Sequence, residues 1–188
     1  MIEKILQVSQ EESLFSEEDK EIYEYGYLLL KETIINVTIA LIIAVIMKKI
    51  NIFILFSVFF IPLRTFAGGF HAKNALSCSI LSNAILVGVY FINDFLKAQP
   101  IGLNYIVICV VVLGIVIGRL SPVDSSGKRL TDSEKRKYKQ IVNCILLVEM
   151  IVQLCLISKR IYIVCIVFVI EAISLILGMR GNIKENVF

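Results

Sequence analysis

From Ile161 to Met179 the chain reads IYIVCIVFVIEAISLILGM, 19 residues broken by a single charge, Glu171. A helix of about 20 apolar residues matches the hydrocarbon thickness of a bilayer. The pattern recurs along the chain. Apolar runs cover Tyr27 to Met47 (with Lys31 and Glu32 near its start), Ile50 to Leu63, Ala75 to Ile92, Ile101 to Leu120 and Ile141 to Ile157. In lipid a spanning segment must satisfy its own backbone N–H and C=O groups, so these runs are predicted to be helices. A transmembrane barrel would alternate apolar and polar residues, and these blocks do not. A hydrophobic content of 57% and a mean hydropathy of +0.83 exclude an ordinary soluble domain. The predicted fold class is all-α: a polytopic helical membrane protein with five or six transmembrane helices.

The choice between five and six turns on the second run. Its 14 residues are short for a span, so a tucked or re-entrant helix is the alternative. The fifth and sixth runs are joined by the polar turn Ser158-Lys159-Arg160. The N-terminus is different in kind. Its first 25 residues carry eight acids and no long apolar core, the opposite of a positively charged leader. Ile2, Ile5, Leu6, Leu14, Phe15 and Ile22 among those acids predict one or two amphipathic helices, on the membrane surface or packed on the bundle. A single membrane-embedded domain is expected over 1–188. It comprises an amphipathic region at 1–26, helices one to four within 27–120, a basic loop at 121–140, and helices five and six within 141–179.

Basic residues orient such a bundle. With six spans and the N-terminus inside, the N-terminal arm, the 64–74 loop, the 119–140 loop and the tail hold 3, 2, 7 and 2 Lys/Arg, 14 of the 19. If the second run does not span, the best count is 13 against 6, with the N-terminus outside. Either way the 64–74 loop shares the cytoplasmic side with the basic 119–140 loop.

That 64–74 loop holds the chain's one histidine, His71, and seven residues later comes Cys78. A cysteine nucleophile works as a thiolate, which an adjacent imidazole or a helix N-terminus favours. Asn74 is a good N-cap, which would place Cys78 in the first turns of the third span. Free N–H groups there suit the oxyanion of an acyl-transfer intermediate. On one continuous helix, seven residues span about 10 Å of rise, too far for contact. His71 reaches Cys78 only if the chain folds back, and Gly68-Gly69 supply a backbone for the bend. The bland readings stand beside this one. A lone His near a membrane interface is often only a polar residue at headgroup depth, and a Cys in a membrane helix is usually filler. Zinc wants three or four ligands, and without a second His no metal or other cofactor is expected. Cys109, Cys144, Cys155 and Cys165 lie in or beside separate apolar runs, and an odd total of five argues against a disulfide scaffold. Glu149 and Glu171 sit within the fifth and sixth spans, with Gln153 one turn after Glu149, and intramembrane carboxylates are functional suspects by default, unless they pair with Lys or Arg from another helix or face a subunit interface.

Arg64-Thr65-Phe66-Ala67-Gly68-Gly69-Phe70-His71-Ala72-Lys73, followed by Cys78, resembles the signature of the accessory gene regulator B (AgrB) family, R-x(4)-G-x-H-x(6)-C. Chain length, the acidic N-terminus, the several spans and the basic loop introduced by Ser121-Pro122-Val123-Asp124 extend the likeness. Family members are membrane cysteine endopeptidases of bacterial quorum sensing. They cut a small propeptide, AgrD, on its C-terminal side and help form a cyclic thiolactone or lactone autoinducer. The resemblance implies that Cys78 is the nucleophile and His71 its general base, with Arg64 and Gly69 on motif positions. It also implies an AgrD-like propeptide as substrate, a location in the bacterial cell membrane among lipids, and no nucleic-acid partner; it allows a homodimer. The propeptide's acidic tail suits the basic loop, with Arg129, Lys135, Arg136, Lys137 and Lys139 as candidates. Where the family loop often reads Lys-Pro, this chain has Lys128-Arg129-Leu130. The alternative reading is a small transporter or exporter in which Glu149 and Glu171 line a polar path.

Overall fold

A computed structural model of the chain describes residues 17–70, 74–99, 101–123, 130–157 and 162–185. The described residues form six helices: α1 (Glu17–Ile46), α2 (Ile50–Ala67), α3 (Ala75–Ala98), α4 (Leu103–Leu120), α5 (Asp132–Ile157) and α6 (Ile163–Glu185). Among them the only extended pairing is an isolated parallel bridge between Gly68 and Val123. Five helices (all but α4) are long and apolar enough to cross a membrane, and α4 is apolar but short. The chain is a multi-pass helical membrane protein.

Several boundaries differ from the sequence expectation. The second run does not stop at Leu63. It continues helically through Arg64 to Ala67, 18 residues in all, long enough to cross. Arg64 extends the helix rather than ending it because its guanidinium turns back onto protein acceptors and is largely shielded. The basic loop is also shorter than 121–140. Helix α5 starts at Asp132, nine residues before the expected span, on a reciprocal cap. The N–H of Thr131 donates to Glu134 Oε2 at 2.9 Å, and Glu134 N–H donates to Thr131 Oγ1 at 3.4 Å. Residues 1–16 lie outside the described residues. From Glu17 the acidic segment runs helically into the apolar part of α1, whose membrane-length stretch begins at Gly26.

The chain divides into two units, Met1–Ile42 and Ile43–Phe188. The first is described as the greater part of α1, with Thr38 Oγ1 donating to Ile34 O at 2.7 Å within the helix. In the second unit α6 is the axis and packs against α2, α3, α4 and α5. Buried residues make up 56% of its span, against 22–28% for α2, α3 and α5. Ile163, Val164, Val167, Phe168 and Leu175 are fully enclosed. The outer helices keep Ile54, Val58, Ile61, Leu147, Ile151 and Leu154 exposed, a surface that suits lipid tails. Between helices, lipid offers no hydrophobic driving force, and small residues let backbones close in. Gly114 on α4 admits Met150 of α5 and Phe168 of α6, and Gly118 admits Asn143 and Leu146 of α5. Cys165 donates to Cys109 across the α4–α6 contact at 3.6 Å, and both thiols are free.

Two polar ties fix opposite ends of this bundle. At one, Lys49 Nζ reaches both oxygens of Asp94 at 2.7 and 2.5 Å and joins the start of α2 to the end of α3. At the other, Lys139 Nζ caps the C-terminus of α4 through Arg119 O at 3.0 Å and Ser121 O at 2.9 Å. Phe66 and Tyr138 meet edge to face at this second end, with centroids 5.6 Å apart. The candidate site lies there.

Candidate active site

Gly68 and Gly69 end α2 with φ of +77° and +116°, a region that side chains other than glycine rarely adopt. The turn they make is held from three directions. Arg64, one helical turn back, donates NH1 to Gly68 O at 2.5 Å and NH2 to Phe70 O. Val123 N–H donates to Ala67 O at 2.9 Å, which lays the Ser121–Val123 strand of chain beside the end of α2. Phe70 N–H donates to Ser174 on α6, to its carbonyl at 3.0 Å and its hydroxyl at 3.2 Å. Arg64 NH1 also donates to the same Ser174 hydroxyl.

There is no room in this turn. A β-carbon on Gly68 would strike the Val123 carbonyl, and one on Gly69 would strike the Arg64 guanidinium and come within 2.8 Å of Ser174 Oγ. From the other side, a β-carbon on Gly178 of α6 would lie 2.7 Å from Gly69 C and 2.9 Å from Phe70 N. The double glycine therefore has a packing reason as well as a conformational one.

Arg64 is a half-buried cation with a buried counter-charge. Its NH1 lies 3.8 Å from Glu171 Oε1, an ion pair longer than a hydrogen bond, and Glu171 is 0% exposed. Glu171 thus pairs across helices, as one sequence reading held. Glu149 is also buried and interacts electrostatically with Glu171, with Gln153 buried one turn further along α5. Neither carboxylate faces outward, so neither serves a subunit interface through its side chain.

Cys78 lies in the first turns of α3, a half-buried free thiol. Its N–H already donates to Asn74 O at 3.0 Å. Asn74 holds the N-cap position with an extended backbone, but its side chain makes no capping bond, unlike the expectation from sequence. By helix geometry the donors without an intrahelical partner are those of Ala75, Leu76 and Ser77. The thiol and the Arg64 guanidinium interact electrostatically. His71, together with the fold-back predicted for it, lies outside the described residues. It follows directly on Phe70 in the chain.

The basic candidates separate. Arg129 lies outside the described residues. Lys135 and Arg136 stand on the first turns of α5 rather than in a loop, with Arg136 and Lys137 exposed. Lys139 is engaged with the end of α4, which removes it from the substrate candidates. Sequence reasoning missed Ser174 and Gly178. The small-xxx-small spacing Ser174-Leu175-Ile176-Leu177-Gly178 was the available signal for a close backbone approach.

Compared with known proteins, residues 2–177 match the model of the family described as accessory gene regulator B. No curated protein and no solved structure matches the chain.

Proposed function

The chain belongs to the accessory gene regulator B family, which implies a role in processing a quorum-sensing autoinducer, and from that premise we propose that it is a cysteine endopeptidase using Cys78 and His71. One observation carries the reading. The Arg64 guanidinium bonds the turn that leads into His71 and interacts electrostatically with Cys78 in the first turns of α3.

The chemistry is covalent catalysis. His71 takes the thiol proton, and Cys78 Sγ attacks the scissile carbonyl of an AgrD-like propeptide. The oxyanion is received by N–H groups at the start of α3, where the helix dipole also favours negative charge. The C–N bond breaks, His71 returns the proton to the leaving amine, and the C-terminal fragment departs. What remains is a thioester between the propeptide and Cys78. A Cys or Ser side chain in the retained peptide attacks that thioester, closes the ring and releases the thiol. Exchange of one thioester for another conserves the acyl energy as long as water is kept out. The basic start of α5, with Lys135, Arg136 and Lys137, and Arg129 before it, would attract an acidic propeptide tail on the cytoplasmic side.

The thioester is directly testable. A synthetic propeptide whose ring-closing residue is replaced by alanine, added to the protein in lipid vesicles, should leave an acyl adduct on Cys78 that hydroxylamine releases. An adduct on another residue, or the same adduct with Cys78→Ala, would refute the mechanism.

A second activity is favoured by the buried polar groups. Tyr90 Oη and both side-chain atoms of Asn93 on α3 are enclosed without a hydrogen-bond partner, and Glu149 and Glu171 are enclosed on α5 and α6. Such groups are costly within a membrane and mark polar pathways. On this reading the protein also passes its product outward.

A further inference from the structure

We propose that one face of α6, made by Glu171, Ser174 and Gly178, is the positioning surface of the active site, a role that rests on the Cys78–His71 reading above. The three residues stand at helix positions i, i+3 and i+7, on one side of α6. Each meets the end of α2 in a different way.

Gly178 provides the clearance. Its missing side chain lets the backbone of Gly69 and Phe70 lie against α6, where any β-carbon would come within 2.7–2.9 Å of main-chain atoms. Ser174 provides the register. Its carbonyl and hydroxyl both accept from Phe70 N–H, and its hydroxyl also accepts from Arg64. Glu171 provides the charge that keeps Arg64 at this spot, 3.8 Å away and enclosed. With the guanidinium so held, two of its nitrogens fix Gly68 O and Phe70 O.

Among the described residues these contacts reach Phe70, the residue before His71. The position and direction of the chain entering His71 are therefore set by a helix 100 residues away in sequence. Of the helices in this unit, α6 packs most widely against its neighbours and is the most enclosed, so it is a rigid reference for that chain. A catalytic base displaced by about 1 Å can cost a factor of about 10² in rate. None of the three residues needs to touch substrate. They act through the turn, and so they are positioning residues.

The test uses the full-length protein in lipid vesicles with a synthetic propeptide bearing an amphipathic N-terminus, a central cysteine and an acidic C-terminus. Ser174→Ala removes the shared hydroxyl, Ser174→Thr keeps it, and Gly178→Ala fills the clearance. The expected result is a fall in kcat on the order of 10²-fold for Ser174→Ala and Gly178→Ala, with KM little changed. Ser174→Thr should recover most of kcat, and the loss in Ser174→Ala should persist when kcat is expressed per folded protein. A serine that only stabilised the bundle would lower the midpoint in Ser174→Ala and leave kcat of the folded fraction unchanged. That result, or an equal loss of kcat in Ser174→Ala and Ser174→Thr, overturns the proposal. Should Gly178→Ala fail to fold, the Ser174 pair decides the matter alone. Cys78→Ala is run alongside. If it still cleaves, the peptidase reading has failed; if it does not cleave and Ser174→Ala is unimpaired, only the positioning role has failed.

Discussion

Phe70 of the glycine turn gives its backbone N–H to Ser174 of α6, with the carbonyl at 3.0 Å and the hydroxyl at 3.2 Å. The bond ties the last helix of the bundle to the residue immediately before His71. The close approach that it fixes leaves no room for a side chain at Gly69. Gly69 has a φ of +116°, and its β-carbon would meet Arg64 and Ser174 together.

Gly69→Ala should therefore abolish propeptide cleavage while the protein still inserts in the membrane. The substitution adds left-handed strain of about 1–2 kcal/mol to a clash with two polar side chains. Cleavage assays on membranes normalised for protein content check this. Parent-level cleavage would show that the turn is loose.

Arg64→Lys should be nearly as damaging as Arg64→Ala. The guanidinium serves Gly68 O, Phe70 O and Ser174 Oγ at once and faces Glu171, a spread that a single ammonium cannot cover. Hydrogen bonds from charged groups contribute about 1.5–3 kcal/mol each, so loss of even one should be measurable in the thermal midpoint and in kcat. A Lys variant with parent kinetics would reduce Arg64 to a point charge.

Much of this was legible in the sequence, and the rest was hidden for identifiable reasons. The apolar runs gave the helices because a membrane leaves the backbone no other partner. The Arg64–Cys78 motif pointed to the candidate site residues through its likeness to a family. The start of α5 was legible too, since Thr131-x-x-Glu134 is a capping box; the basic residues after it had drawn the boundary nine residues too late. Ser174 and Gly178 were harder to see. Inside a run such as ISLILGM, a serine and a glycine look like ordinary small membrane residues, and only packing reveals which backbone approaches them. Arg64 misled in the opposite direction. A charge near the end of an apolar run reads as the end of a span, unless its counter-ion 107 residues later is known.

Glu171→Gln and Glu149→Gln should separate positioning from transport. Glu171 is the enclosed counter-charge of half-buried Arg64, so Glu171→Gln should lower both stability and cleavage, because losing one side of a largely enclosed pair strands the other. Glu149 has no such bond to the turn, so Glu149→Gln should spare cleavage. If the polar groups form an exit path, Glu149→Gln should still lower the cyclic product outside the cells relative to the cleaved propeptide inside. Measuring both pools distinguishes the effects; equal pools in parent and Glu149→Gln would remove Glu149 from an exit path.

Topology can be read with single cysteines in a background where the five native ones are replaced. Lys137→Cys, exposed on the first turns of α5, should resist an impermeant maleimide on intact cells and react in inverted vesicles. Lys97→Cys, at the far end of α3, should do the reverse. Labelling of position 137 from outside would overturn the charge-based orientation.

The most direct test of the account is the coupling between His71 and Cys78. If the imidazole withdraws the thiol proton, the two act as one unit and their losses do not add. His71→Ala should lose nearly as much cleavage as Cys78→Ala, and the double variant should be little worse than either. In a protein where Cys109, Cys144, Cys155 and Cys165 are replaced, a small permeant alkylating reagent should modify Cys78 markedly more slowly at neutral pH once His71 is alanine. Equal alkylation rates with and without His71, or additive losses of cleavage, would contradict a shared active site.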